Sequence, residues 1–420
     1  MRSGLTATDA ILIVLLAGFC NAIPTVLNGA IGSSLHIAFP IASRASFGYW
    51  FSYFAVVSRG ILAMFWFGVQ TANGATCVTA LLNTNRDDPR SYGFLSGPAA
   101  KEISFMCHLK SMALNELGFG FLAYVTGGYS TLAVNISDFS RFSKESRAQY
   151  WQLPVIPFFK TIVALFGVIS AAAAQQIWGV SYWTPLEIIA TWQDNPGGRA
   201  AAFFCAAIWL LAQISVNISA NAVSFANDIT TLAPKWFDNR RGTVLVAFFG
   251  GWALCPWIIV ASGKAFMNFM SAYSIFMAPM AGILFTDYWL IKRRRYDVPA
   301  LYDPQGIYRY GKYGTNWRAA AATFIVIIPL LPGLVAKVSS SVTLSSGLNN
   351  LFSFNWLYGF FLSILIYYTL NYFFPHRESL IPCVVTGFET TLMGVDLDVD
   401  IQSAEGAKKE ERAAVIVKNS

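Results

Sequence analysis

Long apolar stretches alternate with short polar ones along most of the chain, and this pattern predicts membrane-spanning helices. A spanning helix needs about 20 mainly apolar residues, and about nine stretches are long enough. They lie near residues 11–32, 54–82, 111–135, 153–178, 200–225, 243–262, 265–290, 318–337 and 355–374. We therefore expect one transmembrane domain over residues 1–375. The polar residues 376–420 are expected to form a disordered cytoplasmic tail.

Several of these stretches contain Gly, Pro or small polar residues, as in "CNAIPTVLNGAIG" and "YVTGGYSTLAVN". In lipid, such interruptions are tolerated only where helices pack on each other or line a cavity, because freed backbone groups need partners. The pattern thus favours a tight helical bundle with an interior. Gly127 and Gly128 in particular predict a broken helix.

The composition narrows the class to polytopic membrane proteins. Of 420 residues, 55% are hydrophobic, 15% aromatic and only 12% charged. Soluble domains carry roughly a quarter charged residues, about twice this share. The net charge of +7 is concentrated in short clusters between the apolar runs, such as "RFSKESR" and "KRRR". Clusters of this kind flank spans on the cytoplasmic side, so we expect a lipid bilayer and no nucleic acid as partner.

Trp66 and Gln70 are the first candidates for a binding site. They lie four residues apart in "RGILAMFWFGVQ" and so share one face of a helix. An indole with a carboxamide one turn away can stack a planar heterocycle and hydrogen-bond its edge. The alternative is that Trp66 packs in the core and Gln70 forms a hydrogen bond with a neighbouring helix. Without other information than this pair, that packing interpretation is the better one.

The run "AQISVNISANAVSFANDITTLAP" is unusually polar for a span. Asn221 and Asp228, seven residues apart, lie on one face near its cytoplasmic end. Ala212 and Ser215, three apart, could offer a backbone carbonyl and a hydroxyl to a small cation. Function and interhelical packing explain this run about equally well.

Two further sets of residues are weaker candidates. Arg141 and Lys144 lie at the membrane edge, where they could pair with Asp228, although a solvated loop explains them better. Phe276 and Met280 form an i, i+4 pair that could gate a cavity, although core packing is the better interpretation.

A catalytic or metal site finds no support in the sequence. The three histidines and six cysteines are scattered singly, with no CxxC spacing. No Ser/His/Asp set, HExxH or phosphate-binding glycine motif can be assembled from these positions. We therefore expect no enzyme, no cofactor and no metal.

Five longer motifs resemble the nucleobase–cation symporter-1 family, in particular its fungal uracil/allantoin/uridine permease branch. They are "HIAFPIASRASFG", "WFGVQ", "VNISDFSR", "NDITTLAPKWFDNRRG" and "TDYWLIKRRR", and "PALYDPQGIYRY…GTNWRAAAA" adds a sixth. The resemblance covers most of residues 5–375 in the same order. It implies an all-α polytopic membrane protein with the inverted-repeat fold of sodium-coupled amino-acid transporters and a substrate near the membrane midplane.

The resemblance also implies roles for single residues. Trp66, Gln70 and Asn221 match substrate-contacting positions, and Tyr129 falls near a position where some members place a Trp. Other matches are Phe276 and Met280 with gating positions, and Ala212 and Ser215 with sodium-site positions. Val216 stands where bacterial members place a Thr hydroxyl, so a coupling proton is expected in place of sodium.

The chain also departs from the family pattern. We expect the first, fourth and fifth family helices to be missing from it, which leaves about nine spans instead of twelve. The expected function is transport of uracil, allantoin, uridine or a related small heterocycle by alternating access. The alternative is a non-transporting truncated remnant or a mispredicted gene product. A plasma-membrane location is expected, with retention in the endoplasmic reticulum the alternative for a truncated form.

Overall fold

The computed structural model describes residues 7–83, 114–179, 182, 185–193, 195–256, 263–338, 342 and 344–386. Thirteen α-helices of eight or more residues organise this part of the chain, and three shorter ones, Ser137–Ser140, Pro185–Ala190 and Val298–Tyr302, lie between them. The thirteen are α1 Ala7–Leu35, α2 Phe39–Phe47, α3 Ser52–Asn83, α4 Leu114–Asn135, α5 Gln152–Trp178, α6 Pro196–Val216, α7 Val223–Leu232, α8 Asn239–Phe248, α9 Gly263–Phe285, α10 Trp317–Ile327, α11 Leu331–Val338, α12 Ser346–Ser353 and α13 Asn355–Phe373.

Several of these helices continue through turns of a different pitch. A π-helical turn, Asn217–Ala222, joins α6 to α7, and two more extend α8 and α9 over Phe249–Ala253 and Thr286–Ile291. Within the described ranges no strand is present, and the only β-type pairing is an isolated bridge between Asp297 and Val385. The predicted all-α class is confirmed.

Six of the described helical stretches are long and apolar enough to span a membrane, and a seventh is added if α12 and α13, bent by 79°, form one span. The six are Asp9–Leu35, Ser52–Leu82, Ala148–Trp178, Pro196–Leu232, Ala272–Ile291 and Trp317–Lys337. The chain is therefore an integral membrane protein. The number of nine spans stays a prediction, since parts of the predicted stretches 111–135 and 243–262 lie outside the described residues.

The bundle is held together by a core between α3, α4, α9 and α13. α1 packs against α4 and α5, α9 against α4 and α13, and α3 against α6. Met277, Met280, Trp356 and Tyr367 are among the buried side chains of the main cluster. By contrast, α5 and α6 leave most of their side chains exposed, as expected for helices that face lipid on one side.

One glycine pair sets the distance between α3 and the turn after α8. A Cβ placed on Gly68 would lie 2.4 Å from the carbonyl oxygen of Gly250, and a Cβ on Gly250 would lie 2.6 Å from that of Met64. Neither position therefore tolerates a side chain at the present spacing. Gly68 lies two residues from both Trp66 and Gln70, so this close packing holds the helix that carries them against the turn after α8.

The predicted break at Gly127–Gly128 is wrong: α4 runs without interruption from Leu114 to Asn135. Two hydroxyl groups donate to the Gly127 carbonyl oxygen, from Ser130 at 2.8 Å and from Tyr273 at 2.6 Å. These neighbours satisfy the carbonyl while the helix stays intact. Glycine permits a break but does not enforce one.

The beginning of the predicted tail packs against the rest of the protein. Val385 accepts a hydrogen bond from the Val298 amide at 2.8 Å and donates its own amide to Tyr296 at 3.1 Å. A short 3-10 helix, Arg377–Ser379, precedes it. Residues 376–386 are thus ordered against the loop after α9, and the expected disorder of residues 387–420 falls outside the described residues.

Candidate functional site

Trp66 and Gln70 both lie on α3 and are both half-buried. The Trp66 indole meets the ring of Tyr273 on α9 edge to face, with ring centroids 6.4 Å apart. Tyr273 in turn donates its hydroxyl to the Gly127 carbonyl oxygen on α4. The indole is therefore tied through one tyrosine to two neighbouring helices, an arrangement that the sequence did not indicate because Tyr273 lies far along the chain.

The π-helical turn Asn217–Ala222 faces α3 at the level of Trp66 and Gln70. Asn217 donates its amide to the Phe67 carbonyl oxygen and to the Thr71 hydroxyl, both at 3.1 Å. Asn221 donates to the Asn217 side-chain oxygen at 3.0 Å. π-helical turns are rare and occur frequently at functional sites. Asn217 thus lies between Asn221 and α3, and the turn places the predicted Asn221 close to the helix that carries Trp66 and Gln70.

Tyr129 lies on the same helical turn of α4 as Val125, and its side chain is 44% exposed. The Lys160 ammonium of α5 sits above its ring, 3.8 Å from the centroid. Tyr129 was predicted from the sequence, whereas this lysine was not. The structure therefore adds a cation beside a predicted substrate-contacting ring.

Phe276 and Met280 behave as packing residues in this conformation. Met280 is fully buried in the main core, and Phe276 packs between that cluster and a second one around Ile275. These contacts match the packing interpretation. The gating role stays a prediction.

Ala212 and Ser215 lie on an exposed face of α6. The Ser215 carbonyl oxygen accepts a hydrogen bond from Ser219 at 2.7 Å, and Val216 beside it is 45% exposed. In the described part of the chain, the structure thus places no third candidate cation ligand beside Ala212 and Ser215. Within the same ranges, no three His, Cys, Asp or Glu side chains are grouped where they could hold a metal ion.

A buried charge cluster lies two helical turns from Trp66 toward the start of α3. Arg59 is only 1% exposed, and its guanidinium binds Asp228 of α7 through Nε at 2.7 Å and through Nη2. It also donates to the Ser224 carbonyl oxygen at 2.6 Å, and Asp138 lies 4.0 Å away. The cluster therefore joins α3 and α7 to the short helix that follows α4.

The cluster holds two carboxylates for one guanidinium. Asp138 accepts a hydrogen bond from the Phe39 amide at 3.0 Å through one oxygen. Its other oxygen, and one oxygen of Asp228, have no hydrogen-bond partner among the described residues. Among the described residues only Arg59 pairs directly with these carboxylates, and Arg141 acts on Asp138 from farther away. One negative charge thus lacks a direct partner if both groups are ionised, at a depth where a charge needs one.

The predicted pairing of Asp228 with Arg141 or Lys144 differs from the structure, where Asp228 binds Arg59. Arg141 points instead to the Asn227 side-chain oxygen at 3.4 Å, and Lys144 is exposed. The physical reason is position: Arg59 projects into the bundle from α3, whereas the other two follow the end of their helix at the surface. A single arginine inside an apolar run was the signal that could have identified Arg59.

A second buried polar cluster fastens α2 to the end of α9. Asp287 accepts hydrogen bonds from Lys292 at 2.8 Å, Tyr296 at 2.7 Å, Tyr367 at 2.9 Å and Ser46 at 3.2 Å. Its carboxylate is therefore satisfied by four donors. This cluster stabilises the loops around one end of the bundle and lacks the excess charge of the Arg59 cluster.

Comparison with known proteins gives consistent matches. A family profile described as "Permease for cytosine/purines, uracil, thiamine, allantoin" matches residues 1–109 and 111–359. A permease of Schizosaccharomyces pombe is 33% identical over 91% of this chain and 78% of its own length. The uracil permease of Saccharomyces cerevisiae is 31% identical over 85% and 67%, and its allantoin permease is 32% identical over 83% and 66%.

Solved structures match over nearly the whole chain. The nucleobase-cation-symport-1 family transporter Mhp1, in a closed conformation with bromovinylhydantoin bound, superposes with a TM-score of 0.66 over 90% of this chain and 88% of Mhp1. Its inward-facing form gives 0.61. At 20% identity this likeness concerns the fold, and the expected inverted-repeat transporter fold is confirmed.

Proposed function

Since the chain belongs to the family of permeases for cytosine/purines, uracil, thiamine and allantoin, we propose that it moves a small planar heterocycle across a membrane. We infer uracil, allantoin, uridine or a related small heterocycle as the substrate class, alternating access as the mechanism and a proton as the coupling ion. Transport rather than catalysis is proposed because the relatives are permeases. A plasma-membrane location is part of the proposal, and a fluorescent fusion tests it.

The facing surfaces of α3 and the π-helical turn carry the substrate part of this proposal. Trp66 offers an aromatic face, Gln70 lies one turn further, and Asn221 lies on the helix that α3 contacts through Asn217. A flat ring with carbonyl and N–H groups at its edge needs a stacking surface and amide partners. These side chains supply both.

The Arg59 cluster supports proton coupling. With Asp138 and Asp228 sharing one guanidinium, binding of a proton removes the uncompensated negative charge. It also weakens the attraction that holds α3 to α7, so a proton can loosen the contact between these helices. Val216 offers no hydroxyl ligand at the position where the family resemblance puts a sodium ligand, which agrees with this choice.

Uptake of radiolabelled uracil and allantoin in a permease-deficient yeast host tests the proposal. We expect Trp66→Ala to reduce affinity roughly tenfold or more, because stacking and site filling together contribute about 1–3 kcal/mol. Trp236→Ala is the matched control, since Trp236 is 74% exposed. Unchanged uptake by Trp66→Ala, at equal surface expression, would contradict the assignment of this site.

A further inference from the structure

Lys160 is a buried cation in the middle of a helix that otherwise faces outward. It lies eight residues after Gln152, the first residue of α5, which places it about 12 Å along the helix axis. The described side chains of α5 are mostly exposed, and Lys160 is buried together with Pro157 and Ala174. A lysine at this depth is costly unless its ammonium has partners.

The partners of this ammonium are few. Nζ lies 3.5 Å from the Val125 carbonyl oxygen and 3.8 Å from the centroid of the Tyr129 ring. Among the described residues no carboxylate forms an ion pair with Lys160. The Cys20 thiol of α1 also lies close enough to interact electrostatically with the ammonium. An ammonium has three N–H donors, and among the described residues its hydrogen bond is the long contact to the Val125 carbonyl oxygen, so donor capacity remains.

The location connects Lys160 with the proposed substrate site. Val125 and Tyr129, which the ammonium contacts, lie on either side of Gly127 in α4. Gly127 accepts the hydrogen bond of Tyr273, whose ring meets Trp66. The same turn of α4 is therefore bound by the lysine from α5 and linked to the indole of α3. Since Tyr129 is 44% exposed, the pair borders space that the described side chains do not fill.

We propose that Lys160 is a substrate-recognition residue whose ammonium donates a hydrogen bond to a carbonyl oxygen of the transported ring. This proposal rests on the proposed transport function and deepens it. A buried cation with spare donors, away from any described carboxylate, selects a ring that presents an oxygen acceptor. It discriminates against a ring with an amino group at that edge, because two donors cannot bond to each other. Tyr129 positions the ammonium from the opposite side through its ring face.

A merely structural lysine predicts a different result. If Lys160 only anchors α5 to α4, its removal destabilises the bundle and weakens all ligands alike. If it recognises the substrate, its removal changes the preference between ligands. Uracil and cytosine are suitable probes, because cytosine carries an amino group where uracil has one of its two carbonyl oxygens.

The experiment measures binding of radiolabelled uracil to the purified full chain, with unlabelled uracil and cytosine as competitors. We expect Lys160→Met to lose uracil affinity roughly tenfold or more while cytosine affinity changes much less. Lys160→Arg, which retains charge and donors, should keep most of the preference for uracil. Lys235→Met, at an exposed loop position, is the matched control and should bind like the wild type.

A second measurement avoids the risk that Lys160→Met fails to fold. In the unmutated chain, uracil should slow the reaction of Lys160 with an amine-reactive reagent, followed by mass spectrometry, while exposed Lys235 reacts at an unchanged rate. An equal loss of uracil and cytosine binding, or no protection of Lys160 by uracil, overturns the role of Lys160 alone. If the wild-type chain binds no uracil, this inference falls together with uracil as the proposed substrate.

Discussion

The buried pair of Arg59 and Asp228 allows a sharp test of what holds α3 against α7. We expect Arg59→Met to lower the free energy of unfolding by about 3–5 kcal/mol, the range for removing one partner of a buried ion pair. The reason lies less in the lost attraction than in what remains. Among the described residues, the variant leaves the buried carboxylate of Asp228 without an ion-pair partner and that of Asp138 with only the more distant Arg141.

The contacts of the cluster allow the size of each change to be ranked. The Arg59→Met variant loses the hydrogen bonds to Asp228 and a 2.6 Å hydrogen bond to the Ser224 carbonyl oxygen. Asp228→Asn retains a hydrogen-bond acceptor of the same shape and removes one of the two negative charges. We therefore expect a smaller cost, about 1–3 kcal/mol. The double variant Arg59→Met/Asp228→Leu should be more stable than Arg59→Met alone, because an apolar pair can replace a buried ion pair.

The assay is thermal unfolding of the purified protein in detergent, followed by fluorescence-detected size exclusion. Arg240→Met is the matched control, since Arg240 is an exposed arginine in the first turn of α8. The reasoning is refuted if Arg59→Met melts together with Arg240→Met. It is also refuted if the destabilisation of the double variant equals the sum of its single changes, because the two side chains would then not be coupled.

Three further predictions concern packing, pH and the coupling ion. Gly68→Val should lower the melting temperature and abolish uptake, because its Cβ would lie 2.4 Å from the Gly250 carbonyl oxygen. Gly167→Val is the control and should change neither, because a Cβ at Gly167 has nothing within 4 Å. Burial lowers the pKa of the His376 imidazole, against an opposing effect of Glu378. The contribution of His376 to stability is therefore present above its ordinary pKa of about 6.5 and is lost as pH falls through the lowered value. The melting temperature of His376→Gln should depend less on pH between 7.5 and 5 than that of the wild type, and an identical dependence would contradict this. Uracil uptake should fall as external pH is raised from 5 to 8 and stay unchanged when choline replaces sodium, and a sodium dependence as steep as the pH dependence would exclude proton coupling.

The sequence predicted the transmembrane class, the family and the face of α3, because these depend on local patterns. Trp66 and Gln70 share a face by helical periodicity alone, and the structure keeps them together on α3. The polar run over 212–234 was also visible as an anomaly. Its π-helical turn was not, because an extra residue in a helical turn depends on the contacts of Asn217 with α3.

The sequence pattern could not identify which residues pair with each other across the bundle. Arg59 and Asp228 are 169 residues apart, and nothing local to Asp228 distinguishes Arg59 from the nearer cations Arg141 and Lys144. The surroundings of Gly127 show the same limit, since one of the two hydroxyls that donate to its carbonyl oxygen comes from Tyr273 on another helix. Sequence periodicity identifies faces, whereas the choice of partner depends on how helices approach each other in three dimensions.

The spacing of the polar residues on α3 and its neighbour suggests how a proton and a substrate can influence each other. Arg59 and Trp66 are seven residues apart on α3, and Asn221 and Asp228 are seven apart on the facing helix. Seven residues are two helical turns, about 10 Å, and return to nearly the same face. The charge pair and the proposed ring contacts thus lie on the same two surfaces, one above the other. A proton that weakens the pair allows α3 and α7 to separate there. Such a separation would also change the width of the proposed substrate site two turns away.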